Sequence, residues 1–201
     1  MKQGLLIVIS GPAGSGKGTV NAHLLGTGDY VYSVSATTRA PRPGEVDGVN
    51  YHFITKEEFE RRMENGDMLE YTEYCGNYYG TPRKEAEEVL KSGKNLILEI
   101  EVEGAQNVKK KFPEAVLIML LPPSFAIQEQ RLRSRGTETE EKIRQRLERT
   151  REEIERADFY DYVVYNYDGK DKEAAEEIRS IVAAEQHAMG RNRDMVSRYF
   201  G

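Results

Sequence analysis

The sequence predicts an α/β fold built around a parallel sheet. Three observations carry that expectation. Apolar runs without alternation recur along the chain, helix-like stretches separate them, and a glycine-rich loop joins the first run to the first helix. A strand buried on both faces reads as a continuous apolar run, and strands that alternate with helices build a parallel sheet.

The first run is Leu5-Leu6-Ile7-Val8-Ile9, introduced by Gly4. Five apolar residues in succession suit a fully buried strand. The loop starting at Ser10 follows, and helical character begins at Val20. Further strands are expected over residues 95–101, 116–121 and 162–165, the second of them stopped by Pro122-Pro123. Helices are expected over residues 83–91, 103–112, 125–133, 139–157 and 172–188. Two stretches break this alternation. Residues 33–82 hold Arg-Pro-Gly turns, short strand-like pieces and one helix over 56–65, the pattern of an inserted subdomain. Residues 127–156 are densely charged and offer few core candidates. The helix among them follows Thr137-Glu138-Thr139-Glu140, a capping-box pattern. Its apolar positions Ile143, Leu147 and Ile154 form a narrow stripe, so it is expected to pack weakly and to move. Residues 190–201 carry no motif.

Composition limits the function. The chain has 201 residues, enough for one sizeable core with a hinged insert and no disulfide staple. Charged residues reach 31%, which implies a polar surface, while 12 Tyr and 6 Phe argue against disorder. The single cysteine, Cys75, excludes an internal disulfide and a cysteine zinc site. His23, His52 and His187 lie far apart without ligand spacing and read as structural or surface residues. The longest apolar run, residues 115–123, falls far short of the ~20 residues that span a membrane. The apolar stretch at residues 5–9 is too short for a signal peptide, so a soluble cytoplasmic protein is expected. The net charge of −5, with Lys109-Lys110-Lys111 as the one compact basic block, argues against a general nucleic-acid binder. Phosphate recognition must therefore be local.

The loop supplies it. Gly11-Pro12-Ala13-Gly14-Ser15-Gly16-Lys17-Gly18-Thr19 contains the G-x4-G-K core of a phosphate-binding loop. Glycines let the backbone curl and aim successive N–H groups at oxygens, and the helix that follows adds its positive end. Lys17 brings a point charge for the β- and γ-phosphates. Gly18 stands where the strict pattern has Ser or Thr, so the hydroxyl comes one position later, at Thr19. A nucleoside triphosphate is the expected ligand. No Asn-Lys-x-Asp guanine-reading motif of GTPases is present, so the acceptor must be sought elsewhere.

Residues 33–45, Ser-Val-Ser-Ala-Thr-Thr-Arg-Ala-Pro-Arg-Pro-Gly-Glu, follow the loop closely. Together with Gly48-Val49-Asn50-Tyr51-His52-Phe53, Gly76-Asn77-Tyr78-Tyr79-Gly80-Thr81, Arg135-Gly136-Thr137-Glu138 and Arg146, they make a chain that resembles the guanylate kinases from Leu6 to about Asn166. The resemblance implies a P-loop three-layer core with a parallel sheet, an inserted mixed α/β subdomain that binds GMP, and a helical lid. On this sequence the core covers about 1–32, 83–126 and 157–201, the insert about 33–82 and the lid about 127–156.

It also implies roles. Residues Gly11 to Thr19 and Asn166 would hold ATP. Arg39 and Arg42, helped by Tyr51 and Tyr79, would hold the GMP phosphate, a task suited to arginine forks and neutral hydroxyl donors. Glu70 would accept from the N1–H and exocyclic amine of guanine, with Ser35 and Thr81 as hydroxyl partners and Glu101 as a second acidic position. Adenine lacks that donor pair and would leave a buried carboxylate unpaired. Lys17, Arg135 and Arg146 would stabilise the transferring group, with Arg131 and Arg39 as further candidates. The reaction implied is ATP plus GMP giving ADP plus GDP, with Mg²⁺ and with dGMP as a second acceptor. Glu99-Ile100-Glu101 stands where many family members have Asp-x-Asp, so the metal shell is open, with Thr19 and Glu99 as candidate ligands. A scaffold that binds phosphopeptides and a kinase for another monophosphate are the rival readings. The intact loop opposes the first, and Glu70, Ser35 and Thr81 oppose the second.

Overall fold

The computed structural model describes residues 3–74, 76–134, 136 and 139–201. Cys75, Arg135 and the Thr137-Glu138 half of the expected capping box lie outside the described residues. Strand β1 spans Leu6–Ser10 and is buried throughout. The glycine-rich loop leads to α1, Lys17–Leu25. Next comes β2, Tyr30–Tyr32, a strand the sequence pattern does not announce, since three residues are too few to show a period. Residues 36–82 then form β3 (Ala36–Thr37), β4 (His52–Phe53), α2 (Lys56–Glu64), β5 (Met68–Tyr74) and β6 (Asn77–Pro82). The chain continues through α3 (Arg83–Lys91), β7 (Asn95–Leu98), α4 (Val102–Lys111) and β8 (Val116–Leu121). It ends with α5 (Phe125–Ser134), α6 (Glu140–Glu155), β9 (Tyr162–Tyr165), α7 (Asp171–His187) and α8 (Met195–Phe200).

The main sheet has the order β2-β7-β1-β8-β9, and all its pairings are parallel. Side chains of β1 alternate between its faces. Ile7 and Ile9 meet Val20 and Leu24 of α1 and Ile178 and Val182 of α7. Leu6 and Val8 meet Ala86 of α3 and Ala105 and Val108 of α4 on the other side. The three-layer α/β core is therefore as expected. The connections from β1 and β7 run to opposite sides of the sheet, so a crevice opens at the carboxyl end of β1, where α/β sheets bind ligands.

A second, mixed sheet has the order β4-β3-β6-β5. Phe59 of α2 is fully buried against Ala36 and Met68 on it. Thr55 caps α2, its hydroxyl accepting from the Glu58 N–H at 3.2 Å.

Three expectations need correction. The strand expected over 95–101 ends at Leu98, because Glu101 already serves as the N-cap of α4. The cap of α6 falls at Thr139, within the Thr137-Glu138-Thr139-Glu140 pattern rather than at its first residue. Thr139 caps the helix by accepting from Lys142 N at 3.4 Å, but the residue at that third position is a lysine and offers no acceptor in return. The narrow stripe of α6 also runs differently. Ile143 and Leu147 are buried with Leu132, against Ala13 and Phe125, whereas Ile154 is 43% exposed and Thr150 takes the next buried position. Among the described residues no helix is long and apolar enough to cross a membrane.

Candidate active site

The phosphate loop turns on two left-handed glycines, Gly14 at φ 86° and Gly16 at φ 90°. Gly16 is the N-cap of α1, and a Cβ there would stand 2.2 Å from Asn166 Nδ2, so no side chain fits. Asn166 donates from Nδ2 to the Ser15 carbonyl at 2.9 Å, and so ties the end of β9 to the loop. Ser15 Oγ and Asn166 Oδ1 are buried and make no hydrogen bond among the described residues. Lys17 folds back on the loop, donating from Nζ to the carbonyls of Gly11 at 2.5 Å and Pro12 at 3.5 Å. Gly18 and Thr19 are exposed on the first turn of α1.

Arg131 of α5 closes the other side of the loop. Nη1 donates to the Gly14 carbonyl at 3.2 Å, Nη2 to the Asn166 carbonyl at 2.8 Å, and both Nε and Nη2 reach Asp168 Oδ1, at 3.0 and 2.6 Å. Beside it a cavity of about 630 Å³ is lined by Pro123, Ile127, Tyr167, Asp168 and Lys170. Sequence reasoning did not single out these lining residues. The signal for them was the Pro122-Pro123 stop after one strand and the position of Tyr167 directly after Asn166.

Glu99, just past β7, forms the floor. Its Oε2 accepts from Asn21 Nδ2 at 2.8 Å and from the Tyr32 hydroxyl at 3.3 Å. Burial and the Glu99 carboxylate together push the Tyr32 phenol well above its usual range. Asn21 is 2% exposed, and its Oδ1 makes no hydrogen bond among the described residues. Asn21 was also missed. It lies four residues after Lys17 on the same helix face, a spacing that could have flagged it.

On the second sheet, the β5–β6 pairing sets Glu70 opposite Thr81. Glu70 is 1% exposed. Thr81 Oγ1 donates to Glu70 Oε1 at 2.8 Å, while Oε2 is buried with no partner among the described residues. Burial raises this carboxyl to about pH 7, against the opposing effect of the Thr81 bond. A Cβ on Gly104 of α4 would stand 3.4 Å from Oε2, so Glu70 sits where the second sheet meets the core. Ser35 accepts through its backbone carbonyl from His52 N at 2.9 Å.

Arg39 lies within 5.5 Å of the Tyr51 ring centroid, and Tyr51 packs edge-on against Tyr79 at 6.1 Å. Its fork is engaged by Glu45, Nη1 donating to Oε2 and Nη2 to Oε1, both at 2.9 Å. This pairing raises the Arg39 guanidinium and lowers the Glu45 carboxyl from their ordinary values. The Arg42 backbone N–H also donates to Glu45, at 2.7 Å, and its side chain is exposed. Glu101 lies 3.6 Å from Arg149 of α6. Arg146 is exposed on the same helix. Arg135 is outside the described residues. The structure thus gathers Lys17, Arg131 and Asn166 around one loop, and Arg39, Tyr51 and Tyr79 around another. Glu70 and Thr81 form a separate buried pair, and Glu99 lies between α1 and β2.

A phosphate loop at the crevice of a parallel sheet, beside a second sheet with its own arginine site and a buried carboxylate, defines a P-loop nucleotide kinase. The guanylate kinase family model matches residues 3–185. A guanylate kinase of Streptococcus thermophilus (strain CNRZ 1066) is 50% identical over 202 residues, covering 98% of this chain and 96% of that relative. One from Halalkalibacterium halodurans is 54% identical over 185 residues, covering 92% and 90%. The crystal structure of guanylate kinase from Anaplasma phagocytophilum superposes with a TM-score of 0.78 at 35% identity, covering 100% of this chain and 97% of that one. The chain belongs to the guanylate kinase family and is an ATP:GMP phosphotransferase.

Proposed function

We propose that the phosphoryl group passes in line from an ATP seated on the loop of residues 11–19 to a GMP seated in the insert. The observation that carries this reading is the Glu70–Thr81 pair, a buried carboxylate oxygen without a partner beside a hydroxyl. It matches the two donors on the guanine edge, whereas adenine has its N6 amine beside an acceptor N1 and would meet the carboxylate with one donor only. Ser35 completes the base site. Arg39, Arg42, Tyr51 and Tyr79 hold the GMP phosphate, which exchanges with Glu45 for the Arg39 fork. Lys17 leaves the loop carbonyls for the β- and γ-phosphates. Asn166 and Arg131 fix the loop's outer side, and the neighbouring cavity takes adenine. Glu101 remains the second acidic position, and its contact with Arg149 supports a role toward the lid.

Residues 1–32, 83–126 and 157–201 act as the core, with 33–82 and 127–156 closing on it. Closure keeps water from the γ-phosphate. Arg146 and Arg135 enter with the lid and meet the charge of the transferring group. The attacking phosphate oxygen is already anionic, so no general base is needed and catalysis rests on position and charge.

The residues beside the loop suit Mg²⁺. Glu99 and Asn21 offer hard oxygens and Thr19 a hydroxyl, enough for an ion that keeps several waters and takes phosphate oxygens as ligands. Among the described residues no cluster of three His, Cys, Asp or Glu forms a self-contained metal cage. The ion would neutralise phosphate charge during transfer. The net charge of −5 supports nucleotides rather than nucleic acid as partners. A cytoplasmic location goes with that reading.

The test is ADP release in a coupled assay with Mg-ATP and GMP, dGMP, AMP, CMP or UMP offered separately. Turnover with GMP and dGMP alone is expected. Turnover with AMP would sink the guanine site. A folded protein that binds GMP and turns over none of the five would favour the phosphopeptide-scaffold reading.

A further inference from the structure

The lid meets the phosphate loop through a buried polar node as well as through apolar contacts. Gln128 of α5 and Thr150 of α6 are each 1% exposed. The Gln128 amide has two N–H groups. Nε2 donates to the Ala13 carbonyl in the phosphate loop at 3.0 Å and to Thr150 Oγ1 at 2.8 Å. The Thr150 hydroxyl donates onward to the Arg146 carbonyl at 2.8 Å, one turn back on α6. An unbroken chain of three hydrogen bonds therefore links the backbone of the phosphate loop to the backbone of Arg146.

The apolar half of this junction is already complete. Leu132, Ile143 and Leu147 cluster against Ala13 and Phe125 without the two polar residues. An apolar pair of matching shape at 128 and 150 would hold the helices together about as well, because a buried polar pair adds little net stability over its apolar counterpart. What hydrogen bonds add is direction and fixed length. A threonine bonded back to the carbonyl four residues earlier also sets the local bend of a helix.

We propose that Gln128 and Thr150 are positioning residues for phosphoryl transfer, holding α6, and Arg146 with it, in register with the donor-phosphate loop. The proposal rests on the reading of Arg146 as an arginine of the transition state. A displacement of about 1 Å at such a group is enough to lower the rate by up to ~100-fold.

The experiment compares Thr150→Val, Thr150→Ser, Gln128→Leu and the double variant Gln128→Leu/Thr150→Val, with Arg146→Ala alongside. Each is measured for kcat, for KM toward GMP and for melting temperature. Thr150→Val is expected to lower kcat by roughly 10- to 100-fold with KM for GMP nearly unchanged, and Thr150→Ser to restore it. The double variant leaves no amide donor unpaired but takes the donor from the Ala13 carbonyl, so it is expected to regain part of the melting temperature lost in Thr150→Val and none of the kcat. Recovery of kcat together with melting temperature would make the pair merely structural and overturn the proposal. So would a parental kcat in Thr150→Val while Arg146→Ala is impaired. Full turnover in Arg146→Ala would overturn it differently, by removing the arginine reading beneath it.

Discussion

Replacing Arg146 with alanine is expected to lower kcat by about 10³-fold or more while KM for GMP changes little. Two structural facts separate these parameters. Of the residues proposed for GMP, Glu70, Tyr79 and Thr81 lie on β5 and β6, and Ser35, Arg39, Arg42 and Tyr51 lie on the chain flanking β3 and β4, none of them on α6. Arg146 lies on α6, next to Leu147, whose burial fixes the helix against the loop. An arginine reaching the transferring group from there meets charge that spreads over the phosphoryl oxygens only as the donor bond breaks. Its loss therefore falls on the transition state rather than on either ground state. Steady-state kinetics with GMP varied at saturating ATP make the measurement. An unchanged kcat would take Arg146 out of the mechanism. A rise in KM with kcat intact would reassign it to uniform substrate binding.

Glu70→Gln is expected to lower kcat/KM for GMP by about 10³-fold, because one charge-assisted hydrogen bond becomes neutral and the other is replaced by two opposed donors. The carboxamide keeps one acceptor, but its NH₂ group opposes one of the two guanine donors. The same change is expected to raise melting temperature above neutral pH. Burial lifts the Glu70 carboxyl from its ordinary value of 4.5 to about 7. Below the ordinary value the group is neutral in both folded and unfolded chains and has no effect. As pH rises toward 7 the unfolded chain ionises first, so the fold loses stability, up to ~3 kcal/mol as an upper bound. Glu70→Gln removes that loss, and the melting curves of the two proteins should diverge with rising pH and converge near pH ~4. Catalysis runs the other way. With Glu70 as the proposed guanine acceptor, the charged form is the one that binds, so KM for GMP in the parent protein should rise about tenfold per pH unit below ~7. The GMP phosphate itself takes a proton near pH ~6. The Glu70→Gln profile contains only that second effect, and the difference between the two profiles belongs to Glu70. Parallel profiles would remove the carboxylate from base recognition.

The phosphate loop was legible because its chemistry is local. A buried run, spaced glycines and a lysine lie within one short segment, and the fold sets them as read. Strands β1 and β8 of the main sheet were legible because burial on both faces leaves no polar position to blur the run, whereas β2 was too short to announce itself. What was not legible is mostly pairing across distance. The bond from Thr81 to Glu70 depends on hairpin register, and only the family resemblance brought the two together. Strands β3 and β4, two residues each, are too short for any periodicity. Ile154 matched the helical period yet lies exposed, while Thr150, a polar residue that no apolar pattern would select, is buried by its bond from Gln128. The expected strand ran past Leu98 because Ile100 carries the apolar pattern onward, although the backbone leaves the sheet there to reach the N-cap of α4 at Glu101.

The Arg39–Glu45 pairing has a consequence for selectivity. Six residues apart, the two groups present each other at a high local concentration, and the carboxylate grips the guanidinium with both oxygens. A small anion arriving alone must outcompete a tethered rival, so its own charge gains it little. A phosphate that arrives attached to a guanine already gripped elsewhere is tethered too, and competes on equal terms. With Arg39 holding the GMP phosphate as proposed, Glu45 would act as a threshold that passes a two-point ligand and turns away a one-point one.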